Sequence, residues 1–352
     1  MTILDVSAPP TQARPARRVL PAVPADPGTD LRAPGARPVR VGLDIGGTKT
    51  DAVAVDPAGT IVSRLRLETE WGSEGVVRTA LAAVRAVSAR IADSTPIVSV
   101  GIGIPGQIEP GTGRVLHAIN LGIAELDLAQ TVSTELGLPV RVENDVKAAA
   151  VGATALRSSG PRNSRRSAAD ASGVMAYLNL GTGVAAGIVG VGGLWRGARG
   201  VAGEIGHLTI DPNGTLCRCG QRGCIETFAG GGAITERWGR PSALPILDLF
   251  DAADAGDPYA RDLRRDLSRG IAAAVQVLVL TADVDVVVLG GGITALGPRL
   301  MADVTAEFAA NAEASAFIRS LRLEERVELL PAGSPAAPLG AALIGKAPVS
   351  HG

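Results

Sequence analysis

The sequence predicts an α/β protein of two lobes with a cleft between them, and three observations lead there. Each half of the 352-residue chain opens with an apolar strand, a glycine turn and a second apolar strand: VGLDIGGTKTDAVAV in the first half, VMAYLNLGTGVAAGIVGV in the second. Further along, the β-branched run Val284–Leu289 also ends in glycines, Gly290, Gly291 and Gly292. Polar residues gather after the strand Pro139–Val142, at the strand end where open α/β sheets bind ligands. The length is enough for two sizeable cores.

Composition narrows the function classes. The chain is 46% hydrophobic and 20% charged, as globular proteins are, and its formal net charge is -1. No basic stripe tracks a nucleic-acid backbone, and no apolar run reaches the length of a membrane span. The start, Met-Thr-Ile-Leu-Asp, lacks the positive region and apolar core of a secretory signal, so a cytoplasmic protein is expected.

Residues 1–38 are rich in Pro, Ala and Arg without a helical or alternating period. Such a segment buries too little apolar surface to offset its ordering entropy, and a disordered tail is expected there. Val39–Asp44 then reads as a strand and Asp51–Asp56 as its hairpin partner, joined through Gly46, Gly47, Thr48 and Lys49. Glycines there leave room for backbone N–H groups to face a phosphate. Thr48 and Lys49 add a hydroxyl and a charge, and Asp44 is placed to hold a water on Mg²⁺. Two glycines are also all that a plain β-hairpin needs.

After Pro139–Val142 come Glu143, Asn144 and Asp145, and then the helix formers of VKAAA. Asp145 suits a helix N-cap as well as it suits chemistry. The polar stretch 157–172 is expected as a solvated loop between the lobes. The strand Met175–Leu180 repeats the earlier logic and ends in Gly181, Thr182 and Gly183. With Gly290, Gly291 and Gly292 there are three glycine turns, each after an apolar strand. The spacing fits neither a Walker A loop nor a dinucleotide fingerprint, and a flat nucleotide ring approaching the third turn is expected.

All three cysteines lie in CRCGQRGC, and His207 precedes them. Cys217, Cys219 and Cys224 with His207 form a Cys3His set, the shell of a closed, structural zinc. Glu204 and Glu226 flank that set, where paired carboxylates suit the vicinal hydroxyls of a sugar; the spacing also suits exposed or ion-paired acids. His117 stands alone and reads as an ordinary loop or surface histidine.

From about Val39 to Gly345 the chain resembles the ROK family of sugar kinases and repressors. The most specific part is Glu204-Ile205-Gly206-His207 followed by CRCGQRGCIE, with DIGGTKT, GIPGQIEPGTGRV, ENDVKAAA and LGGGI beside it. The resemblance implies a two-lobed actin-like ATPase (RNase H-like) fold with ATP and a sugar in the interlobe cleft. The small lobe would span 39–157 with a C-terminal helix at about 336–347, and the large lobe 158–335.

Asp145 would take the proton of the sugar's 6-hydroxyl. Gly106, Asn144, Glu204, His207 and Glu226 would hold the sugar. Asp44, Gly46, Gly47, Thr48 and Lys49, with Gly181, Thr182 and Gly183, would line the phosphates and Mg²⁺, and Gly290 to Gly292 the adenosine. The expected activity is ATP-dependent phosphorylation of a hexose, glucose first and N-acetylglucosamine or N-acetylmannosamine as alternatives, by a homodimer or homotetramer. Polyphosphate is an alternative donor, and a sugar-responsive regulator or a weak sensor an alternative role. A regulator would need a helix-turn-helix ahead of DIGGTKT, and none is read there.

Two departures stand out. GTGVAAG has Ala185 where a further glycine is expected, which would strain a turn needing positive φ. LGIAELD lacks a tryptophan that family members often carry nearby.

Overall fold

The structure, a computed structural model, describes residues 37–159 and 173–345. Most of the tail expected over 1–38 and most of the loop expected over 157–172 lie outside those residues.

The first half builds β1 (Val39–Ile45), β2 (Lys49–Val55), β3 (Ile61–Glu68), α1 (Gly72–Ser88), β4 (Ile97–Ile104), β5 (Gln107–Ile108), β6 (Val115–Ala118), β7 (Ile123–Leu126), α2 (Leu128–Leu136), β8 (Val140–Asn144) and α3 (Asp145–Ser159). The second builds β9 (Met175–Leu180), β10 (Val184–Gly190), β11 (Gly193–Trp195), α4 (Ile225–Ala229), α5 (Gly231–Trp238), α6 (Pro245–Asp254), α7 (Pro258–Ala282), β12 (Val286–Gly290), α8 (Pro298–Ala314), α9 (Ala316–Leu321), β13 (Val327–Leu329) and α10 (Ala336–Ile344).

The symmetry of the sequence is a symmetry of the sheets. One sheet runs β3-β2-β1-β4-β8 and the other β11-β10-β9-β12-β13. In each, the first three strands form an antiparallel meander and the last two add in parallel. Parallel pairing leaves the ends of β1, β4 and β8, and of β9 and β12, pointing one way. Their following turns therefore meet at one edge, and β12 pairs with β9 so that Gly290 faces Asn179. The small sheet β5-β6-β7 follows β4.

Each sheet has its own core, around Leu43, Ile102 and Ile104 in the first and Leu178, Phe250 and Phe308 in the second. Helix α7 illustrates the local logic. Asp257 caps it by accepting the Ala260 N–H at 3.0 Å, Pro258 opens it, and Leu263, Leu267, Ile271, Val275 and Leu278 line its buried face.

Two helices lie between the sheets. Helix α10 packs on the first sheet over Gly42 and Gly101, where an added Cβ would overlap its backbone. Helix α3 packs Val146, Ala149, Ala150 and Ala153 against Met175 and Tyr177 of the second sheet. The helices cross at Gly152 and Gly340, each too close to the other's backbone to accept a side chain. The alanines read as helix formers thus also set the thickness of this layer. The C-terminal helix expected to about residue 347 ends at Ile344 among the described residues.

Candidate active site

Asp145 is the first residue of α3 and sits at the end of β8. The N-cap role the sequence allowed it belongs instead to Asn144, whose Oδ1 accepts the N–H groups of Val146 at 3.1 Å and Lys147 at 3.2 Å. The same amide donates from Nδ2 to the Gly106 carbonyl at 3.3 Å. Asn144 therefore ties the residue after β4 to the start of α3, and Gly106 holds a φ of 107° that favours glycine. Asp145 accepts the Val146 N–H of its own helix at 2.9 Å. Burial raises its carboxyl above the usual range, and nearby Glu204 adds to the rise.

Across the cleft floor is Asp44, near the end of β1. Burial, with Asp145 and Asp51 beside it, pushes its carboxyl up to about 7, while Arg66 pulls the other way. Asp51 pairs opposite Asp44 on β2 and takes the Arg66 guanidinium through both carboxylate oxygens, at 2.8 Å from Nε. Asp44, Arg66, Asp145, Asn179 and Gly290 to Gly292 line one cavity of 440 Å³. Two close carboxylates are donors of the kind a hydrated divalent cation takes, and the guanidinium beside them suits a phosphate.

The glycine turns border this floor in different ways. Gly46 donates its N–H to the Lys49 carbonyl at 2.9 Å, so that group serves the hairpin and not a ligand. Gly47, Thr48 and Lys49 are exposed at the tip, and Gly47 faces Asn120. Ala185 lies in β10 opposite Asn179, and no positive φ is needed there. The strain expected from that alanine is absent because the chain has already left the turn at Val184. Gly291 does need its φ of 91°, and a Cβ there would meet the Leu180 backbone. Gly181, Thr182, Gly292, Ile293 and Leu296 line an adjoining cavity of 790 Å³, walled further by Leu244, Ile246 and Leu247.

Glu204, Glu226 and Cys217 line two further cavities. Glu226, in the first turn of α4, accepts the Val184 N–H at 3.0 Å. It lines a 480 Å³ cavity with Gly106, His117, Asn120, Gly183 and His207. His117 is exposed, as expected, but it faces this cavity with a φ of 55°. Glu204 is exposed in a neighbouring cavity of 510 Å³ that also takes in Gly106 and Asn144. Shared walls join the four cavities into one cleft, and every predicted site residue from Gly106 to Gly292 falls on or beside it.

His207, Cys217, Cys219 and Cys224 place their ligand atoms within 4.8 Å of one another. Cys217 Sγ is 3.8 Å from His207 Nδ1, and Cys219 Sγ is 3.7 Å from Cys224 Sγ. A tetrahedral shell with metal–sulfur bonds of about 2.3 Å has edges of about 3.8 Å, so the donor set fits a zinc-sized ion. Gln221 holds the loop by donating to the His207 carbonyl at 3.2 Å. Its backbone N–H lowers the Cys219 thiol to about 6.

Residues 40–346 match the ROK family model. The chain belongs to the ROK family. It is 32% identical over 292 residues to a glucokinase of Halalkalibacterium halodurans, covering 77% of this chain and 86% of that one. It is 34% identical over 258 residues to an N-acetylmannosamine kinase of Yersinia pseudotuberculosis, covering 71% and 82%. A ROK glucokinase of Streptomyces griseus, solved with glucose and AMPPNP, superimposes with a TM-score of 0.67 at 31% identity over 87% of this chain and 99% of that one. This ROK chain has the two-lobed actin-like ATPase fold of such kinases. Among the described residues no helix is long and apolar enough to cross a membrane.

Sequence reasoning missed Asp51 and Arg66 beside Asp44, and Glu143 and Lys147 beside Asp145. Lys147 left a signal: it is the one charge in an otherwise apolar helical run, and it is buried.

Proposed function

We propose that this ROK protein is an ATP-dependent hexose kinase that phosphorylates the 6-hydroxyl of glucose. The observation that carries the reading is Asp145. It stands at a strand end on the cleft floor, with no cationic side chain bonded to it among the described residues, and its carboxyl is raised by burial. A carboxylate so placed is a competent general base near neutrality.

In the reaction the sugar O6 attacks the γ-phosphorus of ATP. The bond to the ADP oxygen breaks, and the hydroxyl proton passes to Asp145. Gly106, Asn144, Glu204, His207 and Glu226 hold the sugar so that O6 faces both the base and the donor. Asp44 would hold a hydrated Mg²⁺, which would supply positive charge against the phosphates. Gly47, Thr48, Lys49 and the Gly181–Gly183 turn flank those phosphates. The apolar walls of Leu244, Ile246, Leu247 and Leu296 favour a nucleoside over a bare polyphosphate, which would leave that surface uncovered. The Cys3His set would hold zinc as a brace, and with Nδ1 turned to the sulfurs His207 would keep Nε2 for the sugar.

The 34% identical N-acetylmannosamine kinase favours a second reading, the same transfer to an N-acetylated hexosamine. A coupled ADP-release assay with Mg-ATP against glucose, N-acetylglucosamine, N-acetylmannosamine and mannose tests both. Turnover on glucose is expected, and zinc-loaded, folded protein without turnover on any of them would overturn the kinase reading.

A further inference from the structure

Two charged side chains flank Asp145, one on each side, and both line the 510 Å³ cavity that holds Glu204. Glu143, two residues before it, is 6% exposed and Lys147, two residues after it, is 3% exposed. Charged groups are buried to this extent only when they are paired. Both find their partners on one loop of the other lobe. Glu143 takes the Arg196 guanidinium at 2.6 Å from Nε, and its other oxygen accepts the Asn144 N–H at 3.1 Å. Lys147 donates from Nζ to the Gly200 carbonyl.

That loop leads directly to Glu204. Between Arg196 and Glu204 the chain turns at Gly197, Gly200 and Gly203, with φ of 71°, 76° and 96°. These left-handed positions fix the path of so short a segment. Its apex rests on the first lobe, where an added Cβ on Gly200 would lie 3.4 Å from the Ile108 carbonyl. Its return is held by the Gly203 carbonyl, which accepts the Ala186 N–H at 2.7 Å. A displacement at Arg196 or Gly200 thus has little slack to be absorbed before Glu204.

We propose that Glu143 and Lys147 are positioning residues: through Arg196 and the Gly200 carbonyl they latch the 196–203 loop across the cleft and set Glu204 against Asp145. The inference rests on the reading of Asp145 as base and Glu204 as a sugar ligand. The latch spans the lobes on the sugar side of the cleft, away from the apolar nucleoside cavity. It therefore acts on sugar binding and not on donor binding. The two flanking residues also make Asp145 the middle of a braced segment.

Steady-state kinetics on the wild type, Arg196→Ala, Glu143→Gln and their double variant test this, with glucose and Mg-ATP varied separately. Each single variant is expected to raise the KM for glucose by about tenfold and to leave the KM for ATP within about twofold, a split that general loosening of the fold would not produce. The double variant is expected to be no worse than the worse single, because both changes remove one interaction. Arg196→Lys, which keeps the charge, should recover most of the loss. Arg196 has a side chain 45% exposed, so its replacement should leave the melting temperature near that of the wild type even if Glu143→Gln folds poorly. An unchanged glucose KM, equal rises for both substrates, or multiplying losses in the double variant would overturn the latch. A wild type that turns over none of the sugars would overturn the functional reading, and the latch with it.

Discussion

The carboxylate of Glu226 accepts the Val184 N–H at 3.0 Å, so an acid of the sugar cavity is bonded to the strand that leaves the second glycine turn. A Cβ on Gly183 would come within 2.5 Å of that same oxygen. The proposed sugar and phosphate sites therefore share one side chain. Glu226→Ala is expected to raise the KM for glucose and for Mg-ATP together, each by about tenfold, the size of one lost hydrogen bond to a charged group. Gly183→Ala should give the same double effect by pushing the carboxylate away. Kinetics in which only the glucose KM moves would separate the two sites again.

Asp145 can be replaced without losing the helix start, because Asn144 is the cap. Asp145→Asn should lower kcat by about 10²–10⁴ while the melting temperature holds. Asn144→Ala should do the reverse first, lowering stability by about 0.5–2 kcal/mol through the lost cap. Near-normal turnover by Asp145→Asn would remove it from the mechanism.

Asp44 makes stability depend on pH. Its folded carboxyl keeps a proton up to about 7, whereas the unfolded chain releases it near 3.8. The folded state thus binds the extra proton between those values, and stability from this group falls as pH rises across them. Asp44→Asn, without nucleotide or Mg²⁺, should therefore raise the melting temperature more at pH 8 than at pH 5, while abolishing Mg-ATP turnover. Equal gains at both pH values would show that burial does not hold the proton. Asp145 is raised in the same direction, so wild-type kcat/KM should decline on the acid side.

Much of this was legible because its signals are local. The strand–glycine–strand repeats pointed to the paired sheets, and CRCGQRGC with His207 to the cluster of four donor atoms. What stayed hidden depends on which surfaces meet. Ala185 read as a strained turn residue, yet the hydrogen-bond register puts it one step into β10. Asp145 suited a helix cap as well as it suited chemistry, and Asn144 one residue earlier does the capping. Gly152 and Gly340 carry no pattern that announces a helix crossing; only the packing of α3 on α10 makes a side chain impossible at both. Glu143 and Lys147 have partners about fifty residues away, on a loop whose path the sequence does not encode in any period.

The cysteine loop makes the sharpest test of metal against packing. Cys217 and Cys224 are buried and Cys219 is exposed, with four donor atoms within 4.8 Å. Three thiolates this close repel one another unless a cation joins them, and a neutral imidazole completes the donor set. Metal analysis should find about one zinc per chain. Cys217→Ala should lose it, lower the melting temperature, and raise the glucose KM more than the ATP KM, because His207 would lose the bond that turns its ring. Chelator treatment of the wild type should reproduce the kinetic change, with zinc restoring it. Metal-free protein that binds glucose as the wild type does would leave the cluster a packing feature and free His207 from any dependence on it.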